Sequence, residues 1–363
     1  MKRFDKPILV TRPYLPDLEE FKMGLEEVWA NQWLTNNGPM LQKFQKALSE
    51  YLGVPETNLA LFNNGTLALE LGYYAMGLSG GDVITTPFTF VATSHALKRI
   101  GANPIFADID PETTCLSPEA AEKLITPRTK AIVPVHVYGN MCDVEGFERL
   151  REKFGVKIIY DAAHAFGVKS ITNYGDMSMF SFHPTKLFHS CEGGLLVFRD
   201  AKVQEKLYEL RNFAIHSETE CVDVGTNAKM NELQALMGLE CLKKIDELLE
   251  YRQTIYDAYA EGFAGCDDVK LIPHSQNKAY VPVLFNDFEI RERVYAELKE
   301  KYNVFTRRYF YPLLTDFAPY VYARGTCPVA ENLARRVLTL PTYYGLPIND
   351  VKEIVGDIKD IFR

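Results

Sequence analysis

A mostly parallel α/β sheet with helices on both faces is the fold class that this 363-residue chain predicts, on three observations. Short β-branched or apolar runs alternate with amphipathic helical stretches through the first half, as in repeated βα units. Those runs are apolar at consecutive positions, so neither face of the strands they form can meet water. With 47% hydrophobic and 24% charged residues, the composition supports substantial buried cores and lies far from the disordered regime.

In chain order, two amphipathic helices are expected at Leu18 to Ala30 and Met40 to Leu52, separated by the turn formers Thr35-Asn36-Asn37-Gly38-Pro39. Strands follow at Asp82 to Thr86, Pro104 to Asp108, Ala131 to Val135 and Val156 to Tyr160. Helices lie between them, around Ala92 to Arg99, Ser117 to Leu124 and Val144 to Phe154. After about Ile171 the texture changes. Met177 to Phe182 and Gly194 to Phe198 read as further strands, Ala201 to Phe213 as a helix and Lys229 to about Gly262 as a longer one. The last block offers an extended segment at Ala279 to Phe285, a helix at Glu289 to Tyr302, a strand at Val304 to Arg307 and a terminal helix from Asp350 to Phe362. Two domains are therefore expected: 1–250, an α/β domain with an N-terminal helical segment, and 251–363, a smaller α+β domain.

Charge and cysteine usage narrow the function. Lys plus Arg number 40 against 48 Asp plus Glu, a formal charge of −8, and no basic cluster is present to neutralise phosphates along a duplex. Nucleic acid is not an expected partner. The opening MKRFDKPILVTRPY reaches proline too soon for a signal-peptide core, and no apolar run approaches the roughly 20 residues that span a bilayer. A cytoplasmic protein without a membrane partner is expected. The seven cysteines are dispersed with no CxxC pair and the seven histidines form no HExxH, which favours reduced thiols and no metal site.

Three stretches carry chemistry. Asn63-Asn64-Gly65-Thr66 runs straight into a helix, so first-turn N–H groups and the Thr66 hydroxyl converge on one point suited to a phosphate, although a plain N-cap has the same residues. The apolar strand ending in Asp161 places a carboxylate at the carboxyl edge of the sheet, with His164 three residues on; a helix cap beside a core histidine is the alternative. Lys186, set among Phe182, Pro184, Leu187 and Phe188, must either snorkel or lose charge, and a lysine deprotonated by burial is the kind that reacts with an aldehyde. A pyridoxal phosphate site requires a phosphate cradle, an acid for the ring nitrogen, an aromatic face and a lysine. Thr66, Asp161, Phe90 and Lys186 supply all four within one α/β domain.

These pieces stand among other ordered motifs: Pro87-Phe-Thr-Phe-Val-Ala-Thr93, Asp161-Ala-Ala-His-Ala, Ser181-Phe-His-Pro-Thr-Lys186 with Glu192-Gly-Gly194, Gly225-Thr-Asn-Ala-Lys-Met230 and Arg308-Tyr-Phe-Tyr-Pro312. Together they resemble the DegT/DnrJ/EryC1/StrS sugar aminotransferases over nearly the whole chain. The resemblance implies fold-type I architecture and pyridoxal 5'-phosphate, passing to pyridoxamine 5'-phosphate in the half-reaction. It also implies a role for each matching position. Gly65, Thr66 and Ser181 match the phosphate site, Phe90 the aromatic ring on the cofactor face, and Asp161 the partner of the ring nitrogen. Lys186 matches the lysine that attaches to the cofactor aldehyde and moves the proton, and Asn227 a residue reaching the phosphate from the second subunit of a homodimer. His164 stands where many relatives have Gln, and either side chain can donate to the ring hydroxyl.

His183 and Glu192 resemble the subgroup that acts at C4 of the sugar, and Arg308, Tyr309 and Tyr311 the subgroup taking a dTDP-linked sugar. The implied reaction moves an amino group from L-glutamate to a nucleotide-linked keto sugar, dTDP-4-keto-6-deoxy-D-glucose. It would yield dTDP-4-amino-4,6-dideoxy-D-glucose for deoxyamino-sugar or O-antigen biosynthesis. The alternatives are a UDP-linked 4-keto sugar, action at C3, or a non-catalytic relative. A related dehydratase that has His at the lysine position is disfavoured by Lys186 itself.

Overall fold

The computed structural model describes residues 3–272 and 276–362. Seven strands form the large sheet: β1 (Leu59–Phe62), β2 (Asp82–Thr85), β3 (Asn103–Phe106), β4 (Thr129–Val133), β5 (Lys157–Asp161), β6 (Met177–Ser181) and β7 (Gly194–Phe198). Their order is β1-β7-β6-β5-β4-β2-β3. β7 runs antiparallel to both of its neighbours, and every other pairing is parallel. The carboxyl ends of β1, β2, β4, β5 and β6 therefore open on one edge, and the chain enters β7 at that edge. Ligands of open α/β sheets bind there.

Alternation within each strand explains why both faces are covered. Phe62, Val83, Val133, Ile159, Met179 and Leu196 face one core, which they share with Leu69 and Leu71 of the helix Gly65–Ala75 and Leu97 of Ala92–Arg99. The intervening residues face the other side. There Ile84, Ile132, Ile158 and Tyr160 meet Phe147 of the helix Val144–Phe154. Leu61, Phe180 and Leu195 meet Phe44 and Leu236 of the helices Pro39–Leu52 and Glu232–Leu242.

A short hairpin follows, β8 (Ile215–Ser217) with β9 (Glu220–Cys221), and then a three-stranded antiparallel sheet ordered β10-β11-β12, from β10 (Val269–Leu271), β11 (Val281–Phe285) and β12 (Val337–Leu340). The helices Ile245–Phe263, Phe288–Glu297 and Ile348–Phe362 close a separate core over it with Tyr259, Val294 and Ile358. Residue 250 falls inside the helix Ile245–Phe263. Among the described residues no helix is long and apolar enough to cross a membrane, and no cluster of three metal-ligating side chains occurs.

The structure departs from the sequence-based elements at several places. The single helix expected from Lys229 to Gly262 is two, because Lys244 leaves helical geometry at φ −111° and ψ 9°. The first serves the large sheet and the second the small one. Val304 to Arg307 is not a strand: it touches Ile8 and Thr339 through single bridges only. The expected helix to Tyr302 is α-helical over Phe288–Glu297 and then makes a π-helical turn at Leu298–Tyr302.

Candidate active site

One cleft of about 250 Å³ opens at the carboxyl edge of the large sheet, lined by residues of that edge together with Tyr280, just before β11, and Tyr309 and Phe310. Its first wall is the turn after β1. Asn64 caps the helix Gly65–Ala75 through a 2.8 Å bond from the Leu67 amide to its side-chain oxygen. The amides of Gly65 and Thr66 have no acceptor farther back in the helix, so the turn presents donors and the positive end of the helix dipole. Ser181, at the end of β6, stands directly beside it. A Cβ on Gly65 would lie 3.0 Å from Ser181 Cβ, and one on Gly194 would lie 2.5 Å from the Asn64 carbonyl oxygen. Glycine at these two positions lets the three segments close on one another.

Asp161 is 4% exposed and forms the floor. Thr93 Oγ1 donates to Oδ2 at 2.7 Å and the Ala163 amide to Oδ1 at 3.1 Å. Burial raises its pKa, while these two donors and the Lys186 charge oppose the rise. The carboxylate is thus held in a place where a cation facing it gains strongly.

His164 is buried beside it, and Tyr138 donates its backbone N–H to Nδ1 at 3.1 Å. Nδ1 is therefore the unprotonated nitrogen, and the neutral ring carries its proton on Nε2. Burial is the main reason that the His164 pKa falls well below 6.5, and Lys186 adds to the effect. Tyr138 takes the left-handed backbone region, φ 57°, as it makes this contact.

Lys186 also lines the cleft. The segment carrying it folds back on itself, with the Ser190 amide bonded to the Phe182 carbonyl and the Phe182 amide to the Gly193 carbonyl. Beneath it Phe182, Phe188 and Phe166 pack at ring separations of 4.4 to 5.5 Å. These rings account for the apolar flanks of the lysine, and the amine itself emerges in the cleft. Burial lowers its pKa below 10.5, and Asp161 and Tyr309 pull in the opposite direction.

The structure brings Gly65, Thr66, Phe90, Asp161, His164, Ser181, His183, Lys186 and Tyr309 to this one cleft. Phe90 stands at the rim, 59% exposed. His183 Nε2 approaches Glu192 at 3.6 Å across the mouth. Arg308 and Tyr311 line an adjoining groove shared with Phe90 and Tyr309, and Arg308 Nη1 donates to both Glu292 oxygens at 2.9 and 3.0 Å. Asn227 is absent from both; it is exposed and bridges to Asn212. Sequence reasoning missed Thr89, Thr93, Tyr280 and Phe310. Thr89 and Thr93, four residues apart with hydroxyls 3.0 Å from each other, carried a spacing signal that could have found them.

The model of the DegT/DnrJ/EryC1/StrS aminotransferase family matches residues 17–359. A dTDP-4-amino-4,6-dideoxy-D-glucose transaminase of Shigella dysenteriae is 43% identical over 98% of this chain and 100% of its own. Among solved structures, DesI in the presence of its TDP-sugar product superposes with a TM-score of 0.93 at 34% identity, covering 100% of this chain and 95% of that one. NtdA from Bacillus subtilis with bound cofactor PMP gives 0.85 at 28% identity, covering 95% and 82%.

Proposed function

As the chain belongs to the DegT/DnrJ/EryC1/StrS aminotransferase family, we propose that it transfers an amino group from glutamate to C4 of dTDP-4-keto-6-deoxy-D-glucose. The product is dTDP-4-amino-4,6-dideoxy-D-glucose. The observation that carries this reading is the 43% identity, end to end, to the Shigella transaminase. His183 and Glu192, paired at the mouth of the cleft, add the feature associated with C4. NMR of the product formed from this substrate and glutamate tests it. An amine on C4 is expected, and an amine on C3, or turnover confined to a UDP-linked sugar, overturns the assignment.

The cleft's donor set fits pyridoxal phosphate. The Gly65 and Thr66 turn with Ser181 would hold the phosphate, Asp161 the ring nitrogen, His164 Nε2–H the ring hydroxyl and Lys186 the aldehyde. When bound, the cofactor supplies an aldehyde for the amine and a ring that accepts an electron pair. The protein's part is positioning and proton control. Asp161 keeps a negative charge at the floor through the Thr93 and Ala163 donors. His164 keeps its donor nitrogen toward the cleft because Tyr138 occupies the other. Lys186, biased toward the free amine by its surroundings, takes a proton from the α-carbon of the amino donor at Nζ and returns it. Arg308, aligned by Glu292 in the adjoining groove, offers a cation to the diphosphate of the nucleotide.

A homodimer belongs to the same proposal. Asn227 lies outside the cleft of its own chain, where the resemblance has it serve a second subunit. Near it in sequence Phe213, Ile215, Val222 and Val224 are 46 to 86% exposed, as are Trp29 and Trp33 to 63 and 50%, an unusual apolar surface for a monomer. Light scattering at micromolar concentration is expected to give twice the chain mass. A fully active monomer contradicts it.

A further inference from the structure

A lysine that takes up and releases protons needs a neighbour that suits both its amine and its ammonium. Among the described residues, Lys186 Nζ donates a hydrogen bond to Tyr280, whose Oη lies 3.3 Å away. Tyr280 belongs to neither β5 nor the Lys186 loop. It enters from the smaller sheet, one residue before β11.

Its placement is fixed from three sides. Asn277 Nδ2 donates to the carbonyls of His164 and Phe166 at 2.8 and 2.9 Å, and its Oδ1 accepts the Ala279 amide at 3.1 Å. Arg252, itself buried, donates to the Ala279 carbonyl at 2.8 Å. The Tyr280 ring then packs against His164, at 4.5 Å between centroids, and against Tyr138 and Tyr309 at 5.9 and 6.1 Å. A short polar clamp thus ties the small sheet to the segment after β5, and its outcome is a phenol at the reacting nitrogen.

We propose that Tyr280 is a further catalytic residue, whose hydroxyl holds Lys186 Nζ in register while that nitrogen alternates between amine and ammonium. The proposal rests on the reading above, in which Lys186 carries the proton. The phenol oxygen accepts N–H from the ammonium, and its own O–H turns to the lone pair of the amine. One proton moves from the donor α-carbon to Nζ and onward, and Tyr280 keeps its own. Burial pushes the phenol far above its ordinary range, in keeping with that. The other titratable groups facing Nζ are Asp161, Tyr309 and His164, with His183 and Glu192 at the mouth.

Tyr280→Phe keeps the ring and removes the hydroxyl, and two measurements on the full-length chain test it. The first follows the labelling of Lys186 by trace acetic anhydride against pH in cofactor-free protein, with exposed Lys22 as internal standard. A bond to the ammonium is stronger than one to the amine, so its loss should move the Lys186 midpoint down by about half to one pH unit. The second is the half-reaction of the loaded enzyme with glutamate, where kcat should fall by about tenfold to a hundredfold with KM nearly unchanged. An unmoved midpoint or an unmoved kcat overturns the proposal. A wild-type chain inert to glutamate overturns the functional reading, and the catalytic role of Tyr280 with it, whatever the labelling gives.

Discussion

Lys186→Ala is expected to lower transamination by about a thousandfold or more while the chain still folds and melts cooperatively. The loop that carries the lysine is held by Phe182 and Phe188 over Phe166, and none of those contacts uses the amine. Removing a cation from surroundings that disfavour its charge costs the fold little. Lys186→Arg should be equally inactive, since a guanidinium does not give up its proton in this pH range and cannot act as an amine toward an aldehyde. The test pairs the rate of the glutamate half-reaction with a thermal melt by circular dichroism. A variant that keeps more than a few per cent of the wild-type rate removes Lys186 from its role.

Asp161→Asn should separate activity from stability. The substitution keeps the shape and removes the charge, so the cation facing the floor loses its partner, and a loss of about a hundredfold or more in kcat is expected. Stability should move the other way. Because burial raises the pKa of Asp161 in the folded chain, the folded state holds the proton more tightly than the unfolded one. Stability from this group is therefore lost as pH rises from the ordinary carboxylate range through the raised value, and at neutral pH the charged form is a cost. Cofactor-free Asp161→Asn should melt no lower than the wild type at pH 7. A clear drop in its melting temperature would mean that the carboxylate stabilises the cofactor-free fold, the opposite of what a raised pKa requires.

Local order and tertiary assembly left different traces in the sequence. β2, β4, β5 and β7 were readable because strands buried on both faces are forced into unbroken apolar runs such as Val83-Ile84 and Ile158-Ile159-Tyr160. β1 escaped because Leu-Ala-Leu-Phe has no β-branched residue and abuts the Asn63-Asn64 turn, so it reads as part of the turn. β12 escaped because it follows the helix Pro328–Arg336 with no breaker between them. In the cleft, Asp161 and Ser181 end strands and Lys186 stands a short loop past one, and the rule that such ends share one edge places them together, whereas Thr66 is marked by the Asn-Asn-Gly turn that leads into its helix. Tyr138 and Tyr280 have no such mark. Each reaches the site through contacts with segments distant in sequence, and nothing in Val-Tyr-Gly or Ala-Tyr-Val sets its tyrosine apart.

The pairing of β1 with β7 has a consequence for the chain as it is made. Leu59 lies opposite Val197, so the first strand of the sheet waits for the last before it has any partner. At ordinary rates of synthesis the intervening segment takes about ten seconds to emerge, and for that time a four-residue apolar edge stands unpaired on the nascent chain. The turn at Asn64 cannot take its final place until Gly194 closes on its carbonyl, so this corner of the cleft is among the last parts of the large sheet to form. Truncated chains released before Phe198 should consequently be prone to aggregation.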